Sequence, residues 1–154
     1  MSKATREGVA DWLMLLGAPL LGGSLFLTWS HQFSRGFAAR HAATTAVAGI
    51  PRDPTAWQVY SVVDVLLAVL ALGLLAAALR GARPARIATL LGLIVALAFT
   101  VHALGSPPIK GAERFAPAIG AARPEHPTAG PGELVALAGI GLGLLGVLVS
   151  FTAD

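Results

Sequence analysis

The 154-residue chain is 55% hydrophobic and only 12% charged, with a formal net charge of +3. Soluble domains carry about 25% charged residues, so this composition excludes an ordinary water-soluble fold and predicts an integral membrane protein. The absence of cysteine excludes disulfides, thiolate catalysis and thiolate metal sites. The positive charges are scattered over several loops, so the basic face that nucleic-acid binding requires is missing.

Four apolar runs, each of about the 20 residues that cross a bilayer, determine the predicted organisation. They predict an all-α fold, a four-transmembrane-helix bundle that forms a single membrane domain over residues 1–154. The predicted helices are residues 9–29, 54–79, 86–104 and 132–151. Two outer loops and one inner turn connect them, at residues 30–53, 105–131 and 80–86.

The first helix is predicted to be retained rather than cleaved as a signal peptide. Its head carries acidic as well as basic residues, and its apolar run is longer than a signal-peptide core. The small-residue sequence "AVA" at residues 46–48 leaves a distant cleavage site as the alternative. Trp12 and Trp29 lie near the two ends of the run, where tryptophan anchors a helix at the membrane interfaces.

The second helix has a well-marked start. Asp53 is a predicted N-cap, and Pro54 suits the first helical position. Trp57 and Tyr60 follow, and we predict that both lie in the aromatic belt at the outer interface.

The short link after the second helix contains Arg80, Arg83 and Arg86 and no acidic residue. Such basic links lie in the cytoplasm by the positive-inside rule. With four spans, both termini then lie in the cytoplasm (N-in/C-in), and both long loops are extracytosolic. In the first outer loop, Phe33 and Phe37 are one helical turn apart, which fits either a short interfacial helix or an irregular loop.

Asp64 is a charged side chain within the second apolar run, where an ionised carboxylate costs about 2.5 to 3.5 kcal/mol. His102 lies at a similar depth near the outer end of the third run, so the two are predicted to form an intramembrane polar pair. Such a pair either fixes the register of two helices by a hydrogen bond or handles protons or a cation. Ser61 and Thr100 are candidates for extending the network.

Four histidines fall on the predicted extracytosolic side, at His31, His41, His102 and His126. Imidazoles collected on one face are ligands that zinc and copper prefer, so a metal site is an alternative. Its additional ligands would be Asp53, Glu113 or Glu125. None of the histidines shows tight ligand spacing, and haem ligation by His31 and His102 is less favoured still, so we expect no cofactor.

The sequence "GIGLGLLG" in the fourth helix places Gly139 and Gly143 at the small-xxx-small spacing that lets another helix approach closely. The other helix belongs either to the same bundle or to another chain, and we favour packing within the bundle.

A tryptophan closes the first apolar run in "LFLTW", and "TAWQVYSVVDVLL" opens the second. A short Arg-rich turn and "AGIGLGLLGVLVS" follow. This pattern resembles a set of small four-helix integral membrane proteins of GC-rich bacteria, which share A-W-x6-D-x-L-L at the start of helix two. The resemblance implies the same topology and draws attention to Trp57 and Asp64, but implies no activity. The layout also looks like the claudin plan, without that family's paired loop cysteines.

No phosphate-binding loop, serine elbow or pair of carboxylates within one span is present, so we expect a protein that is not an enzyme. We expect a multi-pass protein of a bacterial plasma membrane that acts as an accessory or assembly subunit. Its partners would be the lipid bilayer and other membrane subunits, or copies of itself in a homo-oligomer. The alternative is an oligomeric transporter or channel that uses Asp64 and His102 for proton or cation handling. A membrane-embedded metal- or haem-binding redox protein is the third candidate.

Overall fold

The computed structural model describes residues 2–33, 50–80, 83–110 and 127–152, which form an all-α fold with one short β-ladder. The helices are α1 Lys3–Ser24, α2 Ala56–Val59, α3 Val63–Arg80, α4 Arg83–Gly105 and α5 Pro131–Phe151. The strands β1 Ser30–His31 and β2 Thr128–Ala129 pair antiparallel. Three of the helices, α3, α4 and α5, are long and apolar enough to cross a membrane, which indicates a membrane protein.

The first helix differs from those three in its polar start. The Ser2 side chain caps α1 by accepting a hydrogen bond from the Thr5 N–H at 3.2 Å, and charged residues occupy the first turns. The helix therefore starts earlier than the predicted residues 9–29, and it also ends earlier, at Ser24. Residues 25–29, predicted to be its last turn, leave the helix and lead into β1.

The four long helices form an antiparallel ring in which each packs against two neighbours. The contact of α1 with α5 is the most extensive, α1 also packs on α3, and α4 lies between α3 and α5. The start of α1 and the end of α5 meet, because Arg6 Nη1 donates a hydrogen bond to the Thr152 carbonyl at 3.2 Å. This end of the bundle, which also contains the connection between α3 and α4, is called the turn end. The opposite end, where α1 and α4 finish and α3 and α5 begin, is called the loop end.

Glycines let α1 and α5 touch backbone to backbone. A Cβ atom built on Gly139 would lie 2.6 Å from the Leu21 nitrogen and 2.9 Å from the Gly17 oxygen, closer than real Cβ atoms approach. A Cβ atom on Gly143 would lie 2.8 Å from Leu74 Cδ2, so this residue faces α3. The small residues of α5 therefore serve packing inside this bundle.

The predicted second helix, residues 54–79, is two helices in the structure. Tyr60 has φ −108° and ψ 140°, an extended conformation that ends α2. Its ring packs edge-to-face on the rings of Trp29 and Phe99, so tertiary packing overrides the helix propensity of a continuous apolar run. Asp64 consequently lies in the first turn of α3 rather than a third of the way into a helix.

The residues that follow α1 run through the middle of the loop end and bind the segments on both sides. On one side, the Trp29 N–H donates to the Pro54 carbonyl at 2.9 Å, and the Gln32 N–H donates to the Arg52 carbonyl at 3.0 Å. On the other side, the Gly130 N–H donates to the Trp29 carbonyl at 2.9 Å, next to the β1–β2 ladder. We call these three segments, residues 28–33, 50–55 and 128–132, the loop-end cap.

The second predicted helix begins differently in the structure, because the residues before it are part of the loop-end cap. Thr55 is the N-cap of α2, and its N–H donates to Gln58 Oε1 at 3.1 Å. Pro54 lies before the helix, and its carbonyl accepts the hydrogen bond from the Trp29 N–H in the loop-end cap. Asp53 does not cap the helix because its Oδ1 atom lies 2.6 Å from His31 Nδ1.

Candidate functional site

Two carboxyl groups are completely buried at the loop end of the bundle. Asp64 and Glu133 are each 0% exposed, and each lies in the first turn of its helix, α3 and α5. None of their carboxylate oxygens has a hydrogen-bond partner among the described residues. Because burying an unpaired charge costs several kcal/mol, each group needs either a proton or a cation to neutralise it.

Two features of the surroundings favour negative charge at this site. The N-terminal end of a helix carries about half a positive elementary charge, which stabilises an acidic side chain in the first turn. Lys110 lies close enough to Asp64 for the two charges to interact, and its backbone N–H donates to Gln32 Oε1 at 2.8 Å. Within the described part of the chain, no basic side chain interacts with Glu133 in this way. Asp64 thus has a cationic neighbour that Glu133 lacks among the described residues.

The charges of both acids act on the hydroxyl group of Tyr60. Burial, followed by the charges of Glu133 and Asp64, raises the pKa of Tyr60 from 10.0 to about 12. Both carboxyl groups are therefore within electrostatic range of the same hydroxyl group. At physiological pH this hydroxyl keeps its proton, so it can donate a hydrogen bond to a carboxylate or a ligand.

Three aromatic rings pack on one another at the loop end and form what we call the aromatic cluster. The ring centroids of Trp29 and Tyr60 are 5.8 Å apart, those of Tyr60 and Phe99 are 5.1 Å apart, and those of Trp29 and Phe99 are 6.5 Å apart. The Trp29 ring is fixed in position because Nε1 donates to the Ser24 carbonyl at 2.8 Å. It also presses on the start of α5, where a Cβ atom on Gly132 would lie 2.5 Å from Trp29 Cδ1.

The predicted pair of Asp64 and His102 is not formed. His102 is exposed, whereas Asp64 is buried and has no hydrogen-bond partner among the residues that the structure describes. Thr100 is the inward-facing residue of α4, and two residues further on the helix has turned by about 200°, which points His102 outward. The Thr100 hydroxyl donates to the Ala96 carbonyl at 2.8 Å, and Ser61 is exposed, so neither residue extends a network from Asp64.

The predicted histidine ligands do not come together either. His31 Nδ1 lies 2.6 Å from Asp53 Oδ1, a partly exposed pair that connects β1 to the segment before α2. No group of three or more possible metal ligands occurs within the ranges that the structure covers. The remaining candidates, His41, His126, Glu113 and Glu125, lie outside the described residues.

The predicted interface anchors separate into two groups. Trp12 and Trp57 are 66% and 42% exposed, so their anchoring at the membrane interfaces stays a prediction. Trp29 is completely buried and does not anchor the helix at an interface, because the chain leaves α1 before this residue and turns it under the cap. Tyr60 is only partly exposed and also packs inward.

Glu133 is the candidate residue that sequence reasoning misses. The predicted fourth helix begins at residue 132, so Glu133 resembles an ordinary acidic residue near a helix start. The signal that could identify it is that it is the single charged residue of α5, just as Asp64 is the single acidic residue of α3. An acid in each of two apolar helices that begin at the same end of a bundle predicts a shared site.

Comparison with known proteins found no matching family model, no similar curated protein and no similar solved structure. The role of the site therefore has to follow from its own geometry and chemistry. Its defining features are two buried acids, a neutral tyrosine hydroxyl and a set of aromatic rings.

Proposed function

We propose that this protein is a four-span membrane protein that binds protons or a cation at Asp64 and Glu133. In this proposal α1 and the residues after it form a further span, in addition to the three spans α3, α4 and α5. Both termini lie in the cytoplasm, as do Arg80, Arg83 and Arg86 at the turn end, in accordance with the positive-inside rule. The loop end then faces the outside of a bacterial plasma membrane.

The complete burial of two carboxyl groups without hydrogen-bond partners among the described residues is the observation that supports this function. Acids that serve only structure are normally paired, since an unsatisfied buried polar group lowers the free energy of unfolding. Acids that bind ions or protons keep their oxygens available for the ligand, and proteins tolerate such a loss of stability at functional sites. In this proposal Glu133, rather than His102, acts together with Asp64.

Proton or cation flux in reconstituted liposomes tests the proposal. We expect the wild-type protein to raise the flux above that of protein-free liposomes. Asp64→Asn and Glu133→Gln keep the side-chain shape but remove the ionisable group, so each should lower the flux by about tenfold or more, or about 1.4 kcal/mol. Asp53→Asn is the matched control, because Asp53 is a partly exposed acid at the same end of the bundle. Equal flux in all four proteins would contradict the proposal.

An accessory or assembly subunit is the second candidate, favoured by an apolar groove of about 480 Å³ between α1 and α3. Phe26 and Trp57 line its outer end with ring centroids 6.1 Å apart, and both rings are exposed. Exposed aromatic residues beside a groove are typical of the contact of one protein with another. Native mass spectrometry from nanodiscs tests this candidate: defined complexes with other subunits or further copies support it, and single chains contradict it.

A further inference from the structure

Two arginines lie close together on the surface at the turn end of the bundle. Arg80 is the last residue of α3 and Arg83 is the first residue of α4, and both side chains are exposed. The chain between them limits the distance between their Cα atoms to about 11 Å. Because arginine side chains are long, both guanidinium groups can reach the same small anionic group.

The two guanidinium groups are available to a ligand. Neither the Arg80 nor the Arg83 side chain has a hydrogen bond or an ion pair with a described residue. The single acid of α3, Asp64, lies 16 residues away from Arg80, or about 24 Å along the helix, and α4 contains no acid. Lys3 of the same end differs, since its Nζ atom lies 4.0 Å from Glu7 Oε1.

The depth of the two arginines is that of lipid headgroups. The helix α3 has 18 residues and is about 27 Å long, close to the roughly 30 Å of a bilayer's hydrocarbon core. Because α3 and α4 are both long and apolar enough to cross a membrane, the end that they share lies at a membrane interface in either orientation. Leu79 and Ile87, within about one helical turn of the arginines, are 71% and 46% exposed and offer an apolar surface to acyl chains.

A phosphate group with apolar chains attached matches this surface. The planar guanidinium group of arginine donates paired hydrogen bonds to phosphate oxygens, and two such groups can surround one phosphate. A phospholipid carries its phosphate at the depth of the arginines and its acyl chains at the depth of the apolar side chains. A soluble phosphate gains nothing from those apolar side chains.

We propose that Arg80 and Arg83 form a binding site for the phosphate group of an anionic phospholipid of the surrounding bilayer. The headgroup lies between the two guanidinium groups, and the acyl chains lie along Leu79 and Ile87. A lipid with a net negative charge is preferred to a zwitterionic lipid, because the site has two positive charges. The inference is independent of the function proposed for the two buried acids, which lie at the opposite end of the bundle.

Native mass spectrometry of the delipidated full chain, titrated with phosphatidylglycerol or phosphatidylcholine of the same acyl chains, tests the inference. We expect the wild-type protein to bind phosphatidylglycerol about tenfold or more tightly than phosphatidylcholine. Arg80→Gln and Arg83→Gln should each weaken phosphatidylglycerol binding by about fivefold and leave phosphatidylcholine binding unchanged. Equal affinity of the wild type for the two lipids, or phosphatidylglycerol binding that neither variant weakens, would overturn the inference.

Three controls separate the proposed site from other effects of charge. Arg52→Gln should leave lipid binding unchanged, because Arg52 is at the loop end and its Nε atom lies 3.9 Å from Asp53 Oδ2. Arg80→Lys and Arg83→Lys keep the charge and should retain the preference for phosphatidylglycerol, and its loss in these variants would contradict a site that binds by charge. Inorganic phosphate, compared with chloride at the same ionic strength, should not displace the lipid. Displacement would mean that the site binds a soluble anion and would overturn the inference.

Discussion

Asp64 and Glu133 occupy equivalent positions in two helices that come from opposite halves of the chain. Each is buried in the first turn of its helix, where the helix dipole favours the charged form and burial favours the neutral form. The two effects on the charge of each carboxyl group therefore oppose each other.

Removal of either charge should not destabilise the protein. Asp64→Asn and Glu133→Gln each replace a buried carboxyl group that has no hydrogen-bond partner among the described residues. We therefore expect the free energy of unfolding to stay constant or to rise by about 1 to 3 kcal/mol, measured by thermal unfolding in detergent. A clear fall in Tm would show that the carboxylate holds the fold together and would contradict a ligand-binding role.

The titration of Tyr60 reports on both acids. Tyr60 is the only tyrosine of the chain, so tyrosinate absorbance follows this residue alone, and its midpoint should be about pH 12 in the folded protein. Because the folded pKa exceeds the unfolded value of 10.0, the stability contributed by neutral Tyr60 is complete below pH 10.0 and is lost as the pH rises through about 12.

Glu133→Gln should lower the midpoint of the Tyr60 titration without reaching 10.0, since burial is the larger cause of its raised pKa. Asp64→Asn should have the smaller effect, because Asp64 contributes less than Glu133. An unchanged midpoint in Glu133→Gln would mean that the tyrosine and this acid are not neighbours.

Asp64 can be predicted from the sequence as the centre of a polar site, but its surroundings cannot. An acid in an apolar run is conspicuous whatever the fold. Which residue accompanies it depends on the rotation of each helix about its axis, and a change of one residue turns a side chain by about 100°. The sequence places His102 at a suitable depth, but the packing of α4 points Thr100 inward instead.

At the scale of the elements, the contact between α1 and α5 depends on glycine at particular positions. Gly139 faces the backbone of α1, whereas a Cβ atom built on Gly141 would meet no described residue of another helix within 4 Å. Gly139→Ala should therefore lower the free energy of unfolding by about 1 to 3 kcal/mol through overpacking. Gly141→Ala, its matched control, should leave it unchanged or raise it by about 0.5 to 1 kcal/mol through helix propensity. Similar Tm values for the two variants would show that the helices do not touch at Gly139.

Apolar runs predict the centres of the helices but not their ends at the loop end. The third and fourth predicted helices agree closely with α4 and α5, since nothing interrupts their apolar sequence. The first helix ends early and the second is divided. After α1 the backbone binds to a segment far away in sequence, as in the bond from Trp29 to Pro54. At the break in the second helix the Tyr60 ring packs on Trp29 and Phe99, and no local pattern reveals either set of partners.

At the scale of the whole molecule, the proposed orientation can be tested without background labelling because the chain contains no cysteine. Ser106 and Ala85 are both exposed and lie near the loop end and the turn end. A membrane-impermeant maleimide should label Ser106→Cys in intact cells and Ala85→Cys only after permeabilisation. The reverse pattern, or labelling of both from outside, would contradict the proposed topology.

The central claim is that Asp64 and Glu133 bind protons or a cation, and infrared difference spectroscopy of the reconstituted protein measures the protonation of their carboxyl groups directly. When potassium is added, we expect the absorption of protonated carboxyl groups to fall and that of carboxylates to rise. The change should be smaller in Asp64→Asn and in Glu133→Gln and absent in the double variant, while Asp53→Asn should match the wild type. A spectrum in which potassium does not alter the carboxyl bands, or in which the double variant responds like the wild type, would contradict the claim.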